Sequence, residues 1–213
     1  MKHTLDTNIF LHGLLEDYPC ELVLTEYTKS QESFITRKVY EELAKKRGEW
    51  NFILQILSKK WDSTKRITDS FEEIKNLIGD NDGNMTSCQN LINYLETRRI
   101  NGNFDINREI VRLNSYLGGY IANKKPIHPS EEMFVKYKAE EAEIKKCINA
   151  YNLVDGEQDK RIIREIFIVT KFFSDSVTLI TKNIKDFHTK EKEWKRNLSQ
   201  IIVTHPSSLN KGA

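Results

Sequence analysis

The first residues able to do chemistry stand in the opening run Lys2-His3-Thr4-Leu5-Asp6-Thr7-Asn8. A short strand-like stretch ends on Asp6, and Thr7 and Asn8 lead into an apolar helical pattern. A carboxylate in that place is costly to seat beside a core unless a cation, a proton or hydrogen bonds compensate it. The same three residue types are also ordinary openers of a helix. Acids recur at three further places. In the helix predicted after Thr36, Val39 and Leu43 mark the inward stripe, and at about 100° per residue Glu42 leans toward it while Glu41 points nearly opposite. Glu41 has Lys45 four residues on, the spacing of a solvated ion pair, so Glu42 is the candidate. Later, Ile162, Ile163, Ile166, Phe167, Val169, Phe172 and Phe173 form a strong helical stripe. Asp159 continues that stripe at its N-terminal end, where the helix dipole tolerates an anion, and Asp155 lies just ahead, placed for capping as well as for chemistry. Finally Thr181, Asn183 and Asp186 follow the apolar run Val177-Thr178-Leu179-Ile180. Hard oxygen donors without Cys or His partners suit Mg²⁺ or Mn²⁺. Three carboxylates gathered in one place would repel one another, and without metal at least one would have a raised pKa.

The elements that must position these residues are strands alternating with helices. Residues 2–5, 33–36, 177–180 and 200–203 read as short buried strands, with helical segments between them. That alternation predicts an α/β fold with a parallel sheet of about four to five strands sandwiched by helices, whose ligands collect at the carboxyl ends of the strands. Between about Trp61 and Asn152 the pattern becomes helical throughout: Phe71, Ile74, Leu77 and Ile78, then Leu91, Ile92 and Leu95, then Ile110, Leu113 and Leu117, with no convincing strand. The chain therefore divides into a discontinuous core, 1–60 with 153–213, and an inserted helical subdomain, 61–152, expected to pack on that core.

Composition narrows the function classes. The 213 residues are 38% hydrophobic and 30% charged, which fits a globular protein, and a net charge of +2 carries no nucleic-acid argument by itself. The three cysteines, Cys20, Cys88 and Cys147, are far apart and form no C-x-x-C pair, so neither a disulfide framework nor a zinc ribbon is expected and a reducing cytoplasm fits best. No stretch approaches a membrane span, and the N-terminus lacks the apolar core of a secretory signal. There is no G-x-S-x-G elbow, no G-K-[ST] phosphate loop and no G-x-G-x-x-G. Residues 80–84 superficially match a calcium loop, but Met85 and Leu91 fall where Gly and Glu belong, so a turn is expected there. His3, His12, His128, His188 and His205 are scattered and give no histidine metal site.

Taken in order, Leu5-Asp6-Thr7-Asn8 after the first strand, Val39-Tyr40-Glu41-Glu42-Leu43 on an acidic helix, Asp159-Lys160-Arg161-Ile162 opening a late helix and Leu179-Ile180-Thr181-Lys182-Asn183-Ile184-Lys185-Asp186-Phe187 at a following strand resemble the PIN-domain ribonucleases. The resemblance covers about residues 1–60 and 153–206. It implies an acidic cluster that binds divalent metal, Mg²⁺ or Mn²⁺, and cleaves RNA phosphodiesters to leave 5′-phosphate and 3′-hydroxyl ends. Carried over position by position, Asp6, Glu42 and Asp159 are the catalytic acids. Asn183 stands as a further metal ligand where many members of that family have a fourth acid, a departure that weakens one metal site. Asn8, Asp155, Thr181 and Asp186 support the site, with Thr7 and Asn8 orienting Asp6.

For the implied RNA, Lys160 and Arg161 beside Asp159 and Lys45 and Lys46 on the Glu42 helix are the candidate phosphate contacts, with Trp61 or Tyr94 able to stack on unpaired bases. The helical middle offers a platform for a protein partner or a second copy of the chain. A catalytically impaired RNA-binding or scaffolding protein is the alternative that Asn183 raises, and a structure-specific DNA nuclease is a third. Toxin-like cleavage, rRNA or tRNA maturation and general decay all fit these residues, and the helical insertion argues against a minimal toxin.

Overall fold

The fold is that of a computed structural model, which describes residues 1–61, 66–70, 82–102, 104–120, 125–188 and 191–209. The chain is mixed α/β and forms two compact units, Met1–Glu42 with Ala122–Ala213, and Leu43–Ile121.

The first unit is built on parallel strands. β1 (Lys2–Leu5) pairs with β4 (Val177–Ile180), and β4 with β5 (Ile201–Thr204). The two-residue strands β2 (Ile35–Thr36) and β3 (Ile127–His128) pair in parallel as a separate ribbon. A parallel bridge between His3 and Ser33 joins ribbon to sheet, with His3 N–H donating to Glu32 O at 3.1 Å and Phe34 N–H to His3 O at 3.0 Å. The spatial series is therefore β3-β2-β1-β4-β5. The chain runs from β1 outward to β2 and β3 on one side, then returns to β4 on the other. Such a reversal opens a crevice at the carboxyl ends of the two strands that flank it, here β1 and β4.

β1 and β4 end in Leu5 and Ile180, in register and buried, and the polar residues Asp6 and Thr181 follow at once. Helix α1 (Thr7–Leu14) starts beyond Asp6 and lies against α2 (Cys20–Lys29), where Phe10 and Tyr27 meet edge to face at 5.4 Å. The Tyr27 hydroxyl donates to Phe34 O at 2.5 Å, tying α2 to the ribbon. Helix α3 (Arg37–Lys60) leaves β2 directly and crosses from the first unit into the second after Glu42.

The second unit holds the remainder of α3, α4 (Asp82–Ile100), α5 (Ile106–Ser115) and a π-helical turn, Tyr116–Tyr120. Trp50, Ile53, Leu54 and Leu57 of α3 are buried here, as are Leu91, Ile92 and Leu95 of α4. Asp105 caps α5, its Oδ1 accepting from the N–H groups of Asn107 at 2.9 Å and Arg108 at 3.2 Å. Glu109 is buried between Arg98 and Arg112, at 3.3 and 2.9 Å. The stripe expected from Phe71 to Ile78 lies outside the described residues. So does part of the turn expected over 80–84, and α4 already begins at Asp82.

The remaining helices belong to the first unit: α6 (Glu131–Lys136), α7 (Lys138–Tyr151), α8 (Glu157–Phe173), α9 (Ile184–His188), α10 (Glu191–Asn197) and α11 (Pro206–Leu209). α8 packs along β2, β3, β4 and β5, burying Ile162, Ile163, Ile166 and Val169, and it also meets α6 and α7. One sequence reading changes here. β3 is a strand inside 61–152, where none was expected, because two residues before a proline give no periodicity. The compact units divide at Glu42 and Ala122, with β3, α6 and α7 in the unit of the strands and α8.

Candidate active site

Asp6 stands where the topology opens its crevice. It is 5% exposed, and three donors surround its carboxylate. Thr7 N–H donates to Oδ1 at 2.6 Å, while the Asn8 side-chain amide and the Thr181 hydroxyl donate to Oδ2, each at 2.7 Å. The Thr181 hydroxyl in turn accepts from Asn183 N–H at 3.0 Å, and Asn8 Oδ1 accepts from Lys182 N–H at 3.3 Å. The first turn of α1 and the segment after β4 are thus stitched together through Asp6. Burial pushes the Asp6 carboxyl up to about 6, more than these hydrogen bonds hold it down, and the charge of Glu42 adds to the rise.

Glu42 joins the group through Thr7, whose hydroxyl donates to Glu42 Oε2. The other Glu42 oxygen faces the Lys38 ammonium one helical turn earlier, at 3.4 Å. Asp159 is half-buried in the first turn of α8 and folds back over the helix start: its Oδ2 is 2.9 Å from the position a Cβ on Gly156 would take. That is the reach of an acid at the third helical position toward the cap. The cap residue is Gly156, so Asp155 lies one position before the cap; it is exposed and accepts from the Asn152 side chain at 3.4 Å. Asn183 is exposed, and the Asp186 side chain lies outside the described residues.

The structure therefore brings together Asp6, Thr7, Asn8, Glu42 and Thr181. Among the described residues, no three or more His, Cys, Asp or Glu side chains are drawn together closely enough to hold a metal ion. The expected cluster of Asp6, Glu42 and Asp159 is not preassembled. Asp6 is held by Thr7, Asn8 and Thr181, Glu42 by Thr7 and Lys38, and Asp159 lies over its own helix start.

Charge pairing also departs from the sequence reading. Glu41, expected opposite Lys45, is held by Arg161 through two parallel hydrogen bonds of 2.8 and 2.9 Å. Lys45 and Lys46 both reach Glu49, at 3.8 and 2.8 Å, and Lys160 pairs with Glu157 at 2.7 Å. His12 is not isolated: its Nδ1 lies 2.7 Å from Asp17, which also takes the Lys182 ammonium at 3.0 Å. Sequence reasoning missed Glu165, 1% exposed on α8, whose oxygens accept from Lys38 N–H at 2.9 Å and Arg161 Nε at 3.0 Å. Its position within the stripe of Ile162, Ile166 and Val169 was the available signal. A cavity of about 370 Å³ lined by His3, Val23, Tyr27, Ser33 and Leu209 is separate from this site and touches none of the candidate acids.

Comparison of this chain with protein-family models, with curated proteins and with solved structures finds no match in any of the three.

Proposed function

We propose that the chain is a metal-dependent endoribonuclease of PIN-like type that hydrolyses RNA phosphodiesters at the crevice between β1 and β4. One observation carries this reading: a buried carboxylate, Asp6, at the topological reversal of a parallel sheet, one threonine away from a second carboxylate, Glu42. The donor set is all hard oxygen, as Mg²⁺ or Mn²⁺ requires, and a carboxyl pushed up by burial gains most from a cation beside it. Asp6 and Glu42 would hold the ion, and Asp159, folded back over Gly156, and the exposed Asn183 would have to turn toward it to complete the set. When bound, such an ion supplies an activated water and neutralises charge on the phosphate. The protein's own part is to aim Asp6 with the Thr7 N–H, the Asn8 amide and the Thr181 hydroxyl, and to hold Glu42 through the Thr7 hydroxyl. Lys160 and Arg161 are the proposed phosphate contacts nearest Asp159.

A second reading is a catalytically silent RNA-binding or scaffolding protein. Asn183 and the folding of Asp159 over Gly156 favour it. The deciding experiment incubates single-stranded RNA, structured RNA and flapped DNA with Mg²⁺ or Mn²⁺. The wild type is expected to cut RNA, and Asp6→Asn to lose about 100-fold or more, a larger loss than for a residue that only orients a ligand. RNA bound but uncut establishes the second reading instead, and preferential cutting of the flap makes the protein a DNA nuclease.

A further inference from the structure

Glu165 is a carboxylate in the core of the first unit, on the same helical stripe as Ile162, Ile166 and Val169 and as deeply buried as they are. Burying a charge there is unfavourable unless hydrogen bonds compensate it, and the best-attested use of such a group is to fix register between elements. Its two oxygens show which elements. One takes the N–H of Lys38 in the first turn of α3, a backbone donor that no preceding turn of helix can satisfy. The other takes Arg161 Nε from its own helix. Arg161 extends the clamp by gripping Glu41, again on the first turns of α3. Thr36 completes the cap, its hydroxyl accepting from Val39 N–H at 3.3 Å.

From this turn the path to the candidate site is short. The Lys38 side chain reaches Glu42, Glu42 accepts from Thr7, and Thr7 adjoins Asp6. We infer that Glu165 is a positioning residue: by docking α8 onto the start of α3, it sets where Glu42 stands relative to Asp6, and so sets the affinity of the site for a divalent cation. The part concerning cation affinity rests on the metal-dependent reading above, whereas the placement of Glu42 does not.

The test uses the full chain carrying Glu165→Ala or Glu165→Gln. A glutamine oxygen can still accept from Lys38 N–H, and an alanine cannot. Glu165→Met fills the space without an acceptor and replaces the alanine variant should that one not fold. In EDTA, the ¹³C signal of the Glu42 carboxyl and the exchange of the Lys38 amide are followed by NMR. Both are expected to change in Glu165→Ala and to return toward wild type in Glu165→Gln. Mn²⁺ affinity, read from free Mn²⁺ by EPR, is expected to weaken about tenfold or more in Glu165→Ala and to be largely restored in Glu165→Gln. A folded alanine or methionine variant with a lowered melting temperature but an unmoved Glu42 signal overturns the inference, because Glu165 is then only structural. A wild type that binds no Mn²⁺, with the Glu42 signal still moved by Glu165→Ala, overturns the metal reading and supports the placement of Glu42.

Discussion

Asp6 accepts three hydrogen bonds and still has its carboxyl raised from 3.8 to about 6, because burial outweighs them. Only well below its unfolded value of 3.8 is the group protonated in the folded and the unfolded chain alike. As the pH rises, the unfolded chain releases this proton first, so stabilisation present in acid is lost through pH 6. At about 1.4 kcal/mol per pKa unit, the metal-free wild type is expected to lose on the order of 3 kcal/mol relative to Asp6→Asn between pH 4 and 7. Denaturant melts of both proteins in EDTA measure that difference, and a flat difference across the window contradicts the burial argument. At this scale the sequence was legible where chain neighbours decide the outcome. Asp6 with Thr7 and Asn8 could be read as a local group. The Arg161 side chain that holds Glu41 and the Lys38 N–H that meets Glu165 could not, because packing brings them in from distant segments.

Elements were legible in proportion to their length. The four-residue runs at 2–5 and 177–180 are strands as read, and the stripe from Ile162 onward is α8. β2 and β3 hold two residues each, too few for any period to show, and their pairing depends on Ile35 N–H finding Pro126 O at 3.1 Å. The aim of α1, which opens at Asp6, depends on how closely it approaches α2. A Cβ on Gly13 would stand 2.9 Å from both Cys20 O and Leu24 Cβ, the first of which is backbone and cannot swing aside. Gly13→Ala is therefore expected to destabilise the protein by about 1–3 kcal/mol through overpacking. Calorimetry measures the loss, and a melting temperature equal to wild type contradicts so tight a contact.

Over the whole molecule, no helix among the described residues is long and apolar enough to cross a membrane, and all the candidate acids lie in the unit formed by Met1–Glu42 and Ala122–Ala213. Ligand that binds only the folded state stabilises it by about 2.7 kcal/mol at a hundredfold excess over its dissociation constant. Added Mn²⁺ is thus expected to slow amide exchange in β1, β4 and the first turn of α3, with a much smaller change in α4 and α5. EDTA should reverse the effect, and Asp6→Asn should abolish it. Equal slowing in both units, read by exchange mass spectrometry, contradicts the placement of the site. The bridge at His3 and Ser33, the one such link among the described residues, has a consequence of its own: the β2–β3 pair adheres to the larger sheet along a seam rather than a full ladder, and α3 grows straight out of that pair. Thermal loosening should part the seam first and draw Glu42 away from Asp6 while β1, β4 and β5 stay knit, so the two carboxylates separate before the sheet comes apart.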